Sequence, residues 1–210
     1  MTAIEPEPDT LFTGIVLAGG SSSRMGRDKA LLEVEGRPLA RVAADALRLA
    51  GAGRIVAVGG DTSALTARGI ETVADAYPGE GPLGGIITAL RLDGDDTNIV
   101  MILACDMPAI DGPTVAAIVG TLRRSARADV AAPTVDGRRQ ILTAAYRRTL
   151  LPALEQAFAE GERSPRRALD RAGIEIAEVV GLEVGRLGDV DRPGDLDRYA
   201  QPDPTRKGPT

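Results

Sequence analysis

The sequence contains no histidine, no tryptophan and a single cysteine, Cys105, among its 210 residues. Without a second cysteine the chain cannot form an intramolecular disulfide, and without histidine it cannot build zinc sites from clusters of cysteine and histidine. Catalytic triads that use histidine as the base are excluded for the same reason. We therefore expect Cys105 to be a small buried residue rather than a nucleophile.

Aromatic residues and positive charge are also scarce. The sequence has three tyrosines and two phenylalanines, a formal net charge of −5 and a pI of about 4.9. A basic surface and a stacking platform for nucleic acid are both missing, which favours a small-molecule substrate. No apolar run approaches the roughly 18 residues of a membrane span, and the acidic, proline-bearing first ten residues are unlike a signal peptide. We expect a soluble, cytoplasmic protein.

The length and composition indicate one globular domain. A hydrophobic content of 43% can supply a sizeable core. Residues 1–10 and 201–210 are rich in proline, aspartate and threonine with little to bury, so both are predicted to be mobile tails. The domain is therefore predicted over residues 11–200.

Short apolar runs alternate with helical patterns along this domain. Five runs rich in β-branched residues predict parallel strands that are buried on both faces. They cover residues 14–18, 54–58, 70–75, 98–104 and 128–135. Stretches with a helical spacing of apolar residues lie at 38–52, 82–92 and 112–126. This alternation predicts a three-layer α/β fold, with a mostly parallel sheet, helices on both faces and ligands at the carboxyl ends of the strands.

Glycines and serines follow the first predicted strand in the stretch VLAGGSSSRMGRDK, residues 16–29. Composition alone allows a flexible loop or an anion-binding cradle, because glycine lets the backbone approach a ligand with no Cβ in the way. Arg24 and Lys29 add positive charge that suits a polyphosphate. Lys29 is one of two lysines and the other, Lys207, lies in a predicted tail. A chance lysine on a solvated loop is the alternative, and the P-loop pattern is absent.

A Gly-x-Gly-x-x-Gly string occurs at residues 79–84, but Pro82 interrupts it and the predicted strand ends several residues earlier. It is therefore a weak dinucleotide-binding signature. We expect a loop and then a helix start near Gly81 and Pro82, with Gly84 and Gly85 allowing close approach of a base, a ribose or a partner backbone. Helix entry alone explains the pattern about as well.

Acidic residues form a third group of candidate site residues, after the two glycine-rich stretches. Asp106 follows the fourth predicted strand, where a carboxylate commonly holds Mg²⁺, although an aspartate that only caps a turn is the alternative. Asp189 and Asp191 are two residues apart, hence on the same side if the segment is extended. Asp191 either completes a metal site with Asp106 or caps a helix that begins near Pro193.

Taken together, these stretches resemble the molybdenum cofactor guanylyltransferases, the molybdopterin-guanine dinucleotide biosynthesis protein A type of the nucleotidyltransferase superfamily. The matching segments are collinear and lie at 17–39, 75, 81–85, 103–108, 137–147, 161–164 and 189–196. The resemblance implies a Rossmann-like nucleotide-binding sheet. It also implies Mg²⁺-dependent transfer of GMP from GTP to the terminal phosphate of molybdopterin or its molybdenum form, with release of pyrophosphate.

The resemblance also assigns residues. The catalytic residues would be Lys29, Arg24 and Asp106, with Asp106 binding Mg²⁺ and Asp191 a second candidate ligand. The residues expected to bind the nucleotide are Leu17, Ala18, Gly19, Gly20, Lys29, Asp75, Gly81, Pro82 and Leu83. The residues expected to bind the acceptor are Gln140, Asp189 and Asp191.

The base and the partners follow from the same resemblance. A Leu-Ala-Gly-Gly start accompanies guanylyl transfer in this group and Leu-Ala-Ala-Gly accompanies cytidylyl transfer, so Gly19 favours GTP over CTP. Two positions depart from the pattern, because residues 189–193 replace an Asn-x-Asn-Thr-Pro motif and Val58 replaces an asparagine. The alternatives are therefore a cytidylyltransferase of the same cofactor or a sugar-phosphate nucleotidyltransferase, and, from another class, a non-catalytic nucleotide-binding partner. Proteins that deliver the cofactor or receive it are further candidate partners, whereas nucleic acid and membranes are not expected.

Overall fold

The computed structural model describes residues 11–19, 28–92 and 97–190, together with Asp195 and Tyr199. Both predicted tails and the predicted helix start near Pro193 lie outside these residues. Within the described ranges, no helix is long and apolar enough to cross a membrane.

Strands and helices alternate along most of the chain. The strands are β1 Thr13–Leu17, β2 Glu33–Val34, β3 Arg37–Pro38, β4 Arg54–Val58, β5 Glu71–Val73, β6 Ile99–Ala104, β7 Val130–Val135, β8 Arg138–Arg139, β9 Thr143–Arg147 and β10 Ile176–Val179. The α-helices are α1 Leu39–Leu49, α2 Thr62–Thr66, α3 Pro82–Leu90, α4 Gly112–Arg124, α5 Leu151–Ala159 and α6 Pro165–Arg171. All five predicted strands and all three predicted helices are present, with ends shifted by a few residues.

One sheet organises the molecule, with the strand order β10-β7-β9-β6-β1-β4-β5 and β8 paired to the edge of β7. β1 is parallel to both of its neighbours, β4 and β6, and β4 is parallel to β5. β9 runs antiparallel between β6 and β7, whereas β10 is parallel to β7. The predicted three-layer, mostly parallel α/β fold is confirmed, and the antiparallel β9 is an element that the sequence interpretation did not contain.

The side chains of the sheet alternate between two separate hydrophobic cores, as the two-residue repeat of a strand requires. In β1, Val16 packs in the core on the side of α1 and α4, whereas Ile15 and Leu17 pack on the side of α3, α5 and α6. Central strands are covered on both faces, which is why their sequences are apolar without alternation. β5 forms the open edge and is only partly buried.

Candidate functional site

Three parallel strands end together at one edge of the sheet. The register places Leu17 of β1 opposite Val58 of β4 and opposite Ala104 of β6. The segments that leave these strands therefore begin side by side, although they lie far apart in the sequence. This carboxyl edge of the sheet is where ligands bind in open α/β folds.

Lys29 and Asp106 meet at this edge. The Lys29 Nζ donates to Asp106 Oδ2 at 3.2 Å, and their side chains are 20% and 24% exposed. Burial raises the pKa of Asp106 above its ordinary value, against the opposing effect of Lys29, and the nearby charge of Asp189 adds to the rise. The site thus contains a cation and a partly desolvated carboxylate in contact.

Asp28 joins the Lys29 segment to the loop that follows β4. Its Oδ1 accepts a hydrogen bond from the Ala30 N–H at 3.0 Å and thereby caps a one-turn 3-10 helix, Lys29–Leu31. Its Oδ2 accepts from the Asp61 N–H at 2.7 Å. The loop after β4 and the lysine are therefore held by one carboxylate.

Gly59 and Gly60 form the turn after β4 and pack against the end of β1. Both have positive φ, and an added Cβ at Gly59 would lie 2.9 Å from the Gly19 Cα. The N–H groups of Ala18 and Gly19 both donate to the Val58 carbonyl, at 3.0 and 3.1 Å. The backbone amides of Ala18 and Gly19 are therefore occupied by the end of the neighbouring strand.

Asp75 lies beside the same turn. Its Oδ1 accepts from the Tyr77 N–H at 3.0 Å and from the Thr88 hydroxyl at 2.9 Å, which fixes the carboxylate at the start of the loop after β5. An added Cβ at Gly85 would lie 3.3 Å from Leu17 and 4.0 Å from Asp75 Oδ2. Gly85 is buried in α3, and its lack of a side chain lets Leu17 pack closely against the helix beside Asp75.

The 81–85 segment begins α3 as the sequence predicted. Gly81 has a φ of 88° and caps the helix without a side chain, and Pro82 occupies its first turn. Leu83 is fully buried, and its side chain packs in the core between the sheet and α3. An added Cβ at Gly84 would lie 2.7 Å from the Tyr77 Cβ, so Gly84 is required for packing within the protein.

An open cavity of about 280 Å³ adjoins Asp106. Its walls bring together Gln140, Asp189 and Pro82, which the sequence placed in the acceptor and nucleotide sites. The Val190 N–H donates to the Asp106 carbonyl at 2.9 Å and so brings Asp189 next to Asp106.

Two arginines that the sequence interpretation did not single out also line this cavity. Arg166 donates from Nη2 to the Arg139 carbonyl at 3.2 Å. Neither arginine has a carboxylate within ion-pair distance in the part of the chain that the structure describes. Their position on short elements, β8 and the start of α6, gave no signal in the sequence.

The remaining predicted site residues fall into two groups. Gly20, Arg24 and Asp191 lie outside the described residues. Leu17 and Ala18 are nearly buried, at 9% and 6% exposure, so any contact they make with a ligand involves their backbone. Cys105 is buried as predicted, and burial raises the pKa of its thiol to about 12.

Comparison with known proteins identifies a family for this arrangement. Residues 14–176 match the family model described as a MobA-like NTP transferase domain. A probable molybdenum cofactor guanylyltransferase of Opitutus terrae is 38% identical over 194 residues, which cover 89% of this chain and 94% of that protein. A molybdenum cofactor guanylyltransferase of Pseudomonas putida KT2440 is 36% identical, covering 78% of this chain and 86% of that protein.

A solved structure has the same fold. The crystal structure of molybdopterin-guanine dinucleotide biosynthesis protein A from Archaeoglobus fulgidus superposes with a TM-score of 0.72 at 23% identity. The match covers 90% of this chain and 97% of that one.

Proposed function

Because the chain belongs to the MobA-like NTP transferase family, we propose that it transfers GMP from GTP to the terminal phosphate of molybdopterin or its molybdenum form. One observation carries the proposal most directly. Lys29 and Asp106, 77 residues apart in the sequence, are in contact at the carboxyl edge of the sheet, and Asp106 also lines an open cavity. This arrangement supports two substrates that meet at one charged centre.

The nucleotide half of the site comprises the Gly19 loop, Asp75 and the start of α3. The surroundings of Gly19 support a role toward the ligand, because its backbone does not need positive φ and an added Cβ would be in ordinary contact at 3.5 Å. The described residues around Gly19 thus leave room for a Cβ, which supports a role of this glycine toward the nucleotide. Asp75 is oriented by Thr88 and lies beside the Gly59 turn, and we assign it to the base or the ribose.

The acceptor half is the cavity beside Asp106. Gln140 and Asp189 contribute polar groups, and Arg139 and Arg166 contribute positive charge for an anionic substrate. We propose that partner proteins handle this reactive pterin: one supplies the cofactor, or a molybdoenzyme receives it.

The donor set fits Mg²⁺. Burial, and to a smaller extent the negative charge of Asp189, raise the pKa of Asp106, and a divalent cation would stabilise the ionised carboxylates there. Within the described residues there is no cluster of three or more acidic, cysteine or histidine side chains, so phosphate oxygens and water would complete the shell. When bound, the metal supplies charge neutralisation of the phosphates.

The proposed reaction needs no nucleophile from the protein. An oxygen of the acceptor phosphate forms a bond to the α-phosphorus of GTP, the bond from that phosphorus to the β-phosphate bridging oxygen breaks, and pyrophosphate leaves with the electron pair. Lys29 provides positive charge to the phosphates as negative charge moves to the leaving group. The residues otherwise act by holding both substrates in line.

Pyrophosphate release measured with GTP, CTP and UTP, each with and without molybdopterin, tests this function. Release with GTP that depends on molybdopterin, together with formation of the guanine dinucleotide, is the expected result. Equal or faster release with CTP would indicate a cytidylyltransferase, and release that needs a sugar phosphate would indicate the sugar-nucleotide reaction. Nucleotide binding without pyrophosphate release for every acceptor would indicate a non-catalytic partner.

A further inference from the structure

We propose that Asp28 is a positioning residue for Lys29, and that aspartate is required there because both of its carboxylate oxygens accept backbone hydrogen bonds from two separate segments. This inference rests on the proposed function only for the role of Lys29 toward the nucleotide phosphates. The position of Lys29 itself can be measured without any substrate.

The first hydrogen bond fixes the segment that carries Lys29. Asp28 Oδ1 accepts from the Ala30 N–H at 3.0 Å, and the Asp28 carbonyl accepts from the Leu31 N–H at 3.0 Å. Lys29 is thus the first residue of a capped turn, and its backbone direction is set by Asp28.

The second hydrogen bond anchors that turn to the sheet. Asp28 Oδ2 accepts from the Asp61 N–H at 2.7 Å, just beyond Gly59 and Gly60. An added Cβ at Gly60 would lie only 3.0 Å from Asp28 Oδ2 and from the Ala18 Cβ. The glycine turn therefore admits the carboxylate between the ends of β1 and β4.

These two bonds explain why the residue is an aspartate. A helix cap alone is satisfied equally well by asparagine, serine or aspartate, since it needs one acceptor. Here two N–H donors from different segments face the same side chain, and only a carboxylate offers an acceptor to each. In Asp28→Asn the amide NH₂ would face one of these N–H groups, so one bond would be lost.

Loss of the Asp61 bond would release the Lys29 segment from the β4 turn, and loss of the Ala30 bond would loosen the turn that carries Lys29. Either loss would weaken the contact of Lys29 with Asp106. A merely structural role for Asp28 would lower stability without changing the surroundings of Lys29. The two explanations therefore differ in a property of the lysine.

The composition makes that property measurable, because Lys29 and Lys207 are the only two lysines. Limited acylation with an amine-reactive reagent, followed by mass spectrometry of the peptides, gives the modification rate of Lys29 relative to Lys207 in the same chain. We expect Asp28→Asn to raise this ratio by about threefold to tenfold, the range that corresponds to loss of one hydrogen bond. Measurements are made well below the unfolding temperature of each protein.

Asp61→Asn is the matched control. The Asp61 Oδ1 caps α2 by accepting from the Ala64 N–H at 2.9 Å, and this cap uses one oxygen that asparagine also provides. The backbone N–H of residue 61, which contacts Asp28, is unchanged, so the acylation ratio is expected to match that of the wild type. If Asp28→Asn does not fold, Asp28→Ser keeps the cap acceptor and replaces it in the comparison.

Turnover provides the second measurement. With GTP and molybdopterin, Asp28→Asn should lower kcat by about tenfold while the KM for GTP changes much less, because Lys29 acts on charge that develops during transfer. An unchanged acylation ratio in a folded Asp28 variant would overturn the proposal. A raised ratio in a series whose wild type transfers no GMP would support the role of Asp28 and overturn the proposed function instead.

Discussion

Gly19 and Gly59 lie against each other, yet they are glycines for different reasons. Gly59 has a φ of 75° and no room for a Cβ, because the Gly19 Cα would be 2.9 Å away. Gly19 has neither restriction. Among the described neighbours nothing requires glycine at position 19, and this supports our proposal that Gly19 serves the nucleotide.

Alanine substitutions at these two positions should therefore have opposite effects. Gly59→Ala should lower the free energy of unfolding by about 1–3 kcal/mol through backbone strain. Gly19→Ala should leave stability unchanged but lower kcat/KM for GTP relative to CTP by about 10–200-fold, the cost of one added methyl group in a tight site. Thermal unfolding and steady-state kinetics measure the two effects. A destabilised Gly19→Ala with an unchanged nucleotide preference would contradict the assignment.

Candidate site residues could be proposed from the sequence where a charged side chain follows a predicted strand or belongs to a rare residue type. Lys29 stands out because lysine is rare in this chain, and Asp106 because it follows a buried strand. Asp28, adjacent to Lys29, was not singled out, since its two partners lie on separate segments. The one sequence signal for this link was the Gly59–Gly60 pair after β4, which resembles the Gly19–Gly20 pair after β1.

Among the secondary-structure elements, β9 brings arginines to the helix ends at the amino edge of the sheet. Because it runs antiparallel to its neighbours, it ends where helices α3 and α4 also end, and its last residue, Arg147, is followed directly by a second arginine, Arg148. Arg147 donates to the carbonyls of Leu122 and Ser125 at the end of α4, at 3.1 and 3.0 Å. Two adjacent arginines thus serve helices on opposite faces of the sheet.

Arg148 performs the same task for α3. It donates to the carbonyls of Leu90 and Leu92, both at 2.9 Å, to the Thr97 carbonyl at 2.8 Å and to the Thr13 hydroxyl at 3.0 Å. These bonds satisfy carbonyls that a helix end otherwise leaves without partners.

Arg148→Met should therefore destabilise the protein by at least about 2 kcal/mol, because several charge-assisted hydrogen bonds are lost together. Arg171→Met is the control, since Arg171 is 54% exposed and pairs only with Glu160 at the surface. That change should cost less than about 1 kcal/mol. Urea unfolding compares the two variants, and equal losses would refute the capping role. Turnover of folded Arg148→Met should be retained because the site lies at the opposite edge.

Glu162 holds the connection between α5 and α6. It is only 8% exposed, pairs with Arg167 through both oxygens and accepts from the Arg163 and Ser164 N–H groups at 2.8 Å. The hydrogen bonds from Arg167 and then from Ser164 lower the pKa of Glu162 to about 2, from an ordinary value of 4.5. The ionised form is therefore favoured by the fold.

This shift gives a pH dependence of defined sign. Since the pKa is lower in the folded state, the stabilisation is complete above pH 4.5 and is lost as the pH falls toward about 2. The stability difference between the wild type and Glu162→Gln should thus be larger at pH 6.5 than at about pH 3. Urea unfolding of both proteins at each pH gives this difference. The same difference at both pH values would show that the charge of Glu162 is not the cause.

Elements with strong apolar runs were predicted well, as the exact match at Arg54–Val58 illustrates. β9 was missed because Thr143–Arg147 is short, contains two alanines and is stabilised by pairing with two distant strands. Such pairing overrides the weak local preference of the segment. The antiparallel direction of β9 could not be read from the sequence for the same reason.

In the whole molecule, the positive charges at the site contrast with the net negative charge of the chain. The chain is acidic, with a net charge of −5, yet its substrates are polyanions. The described part of the site contains Lys29 on one side of Asp106 and Arg139 with Arg166 along the cavity. Local cations thus replace a general positive field, which suits recognition of small anions rather than of nucleic acid.

The global architecture followed from the sequence more completely than the site did. Alternating strands and helices defined the three layers, and the carboxyl-end rule located the site. The strand order, which makes β1 the neighbour of both β4 and β6, was not predictable from local patterns. That order is what brings Lys29, Asp106 and the Gly59–Gly60 turn together.

Transfer of label from [α-³²P]GTP to molybdopterin tests the central claim most directly, with the wild type compared to folded Lys29→Met. We expect a labelled guanine dinucleotide with the wild type and a rate lowered by about 10²–10³-fold in the variant, the cost of removing one preorganised charge contact. Wild-type protein that forms no labelled dinucleotide, or a Lys29→Met variant as fast as the wild type, would contradict it.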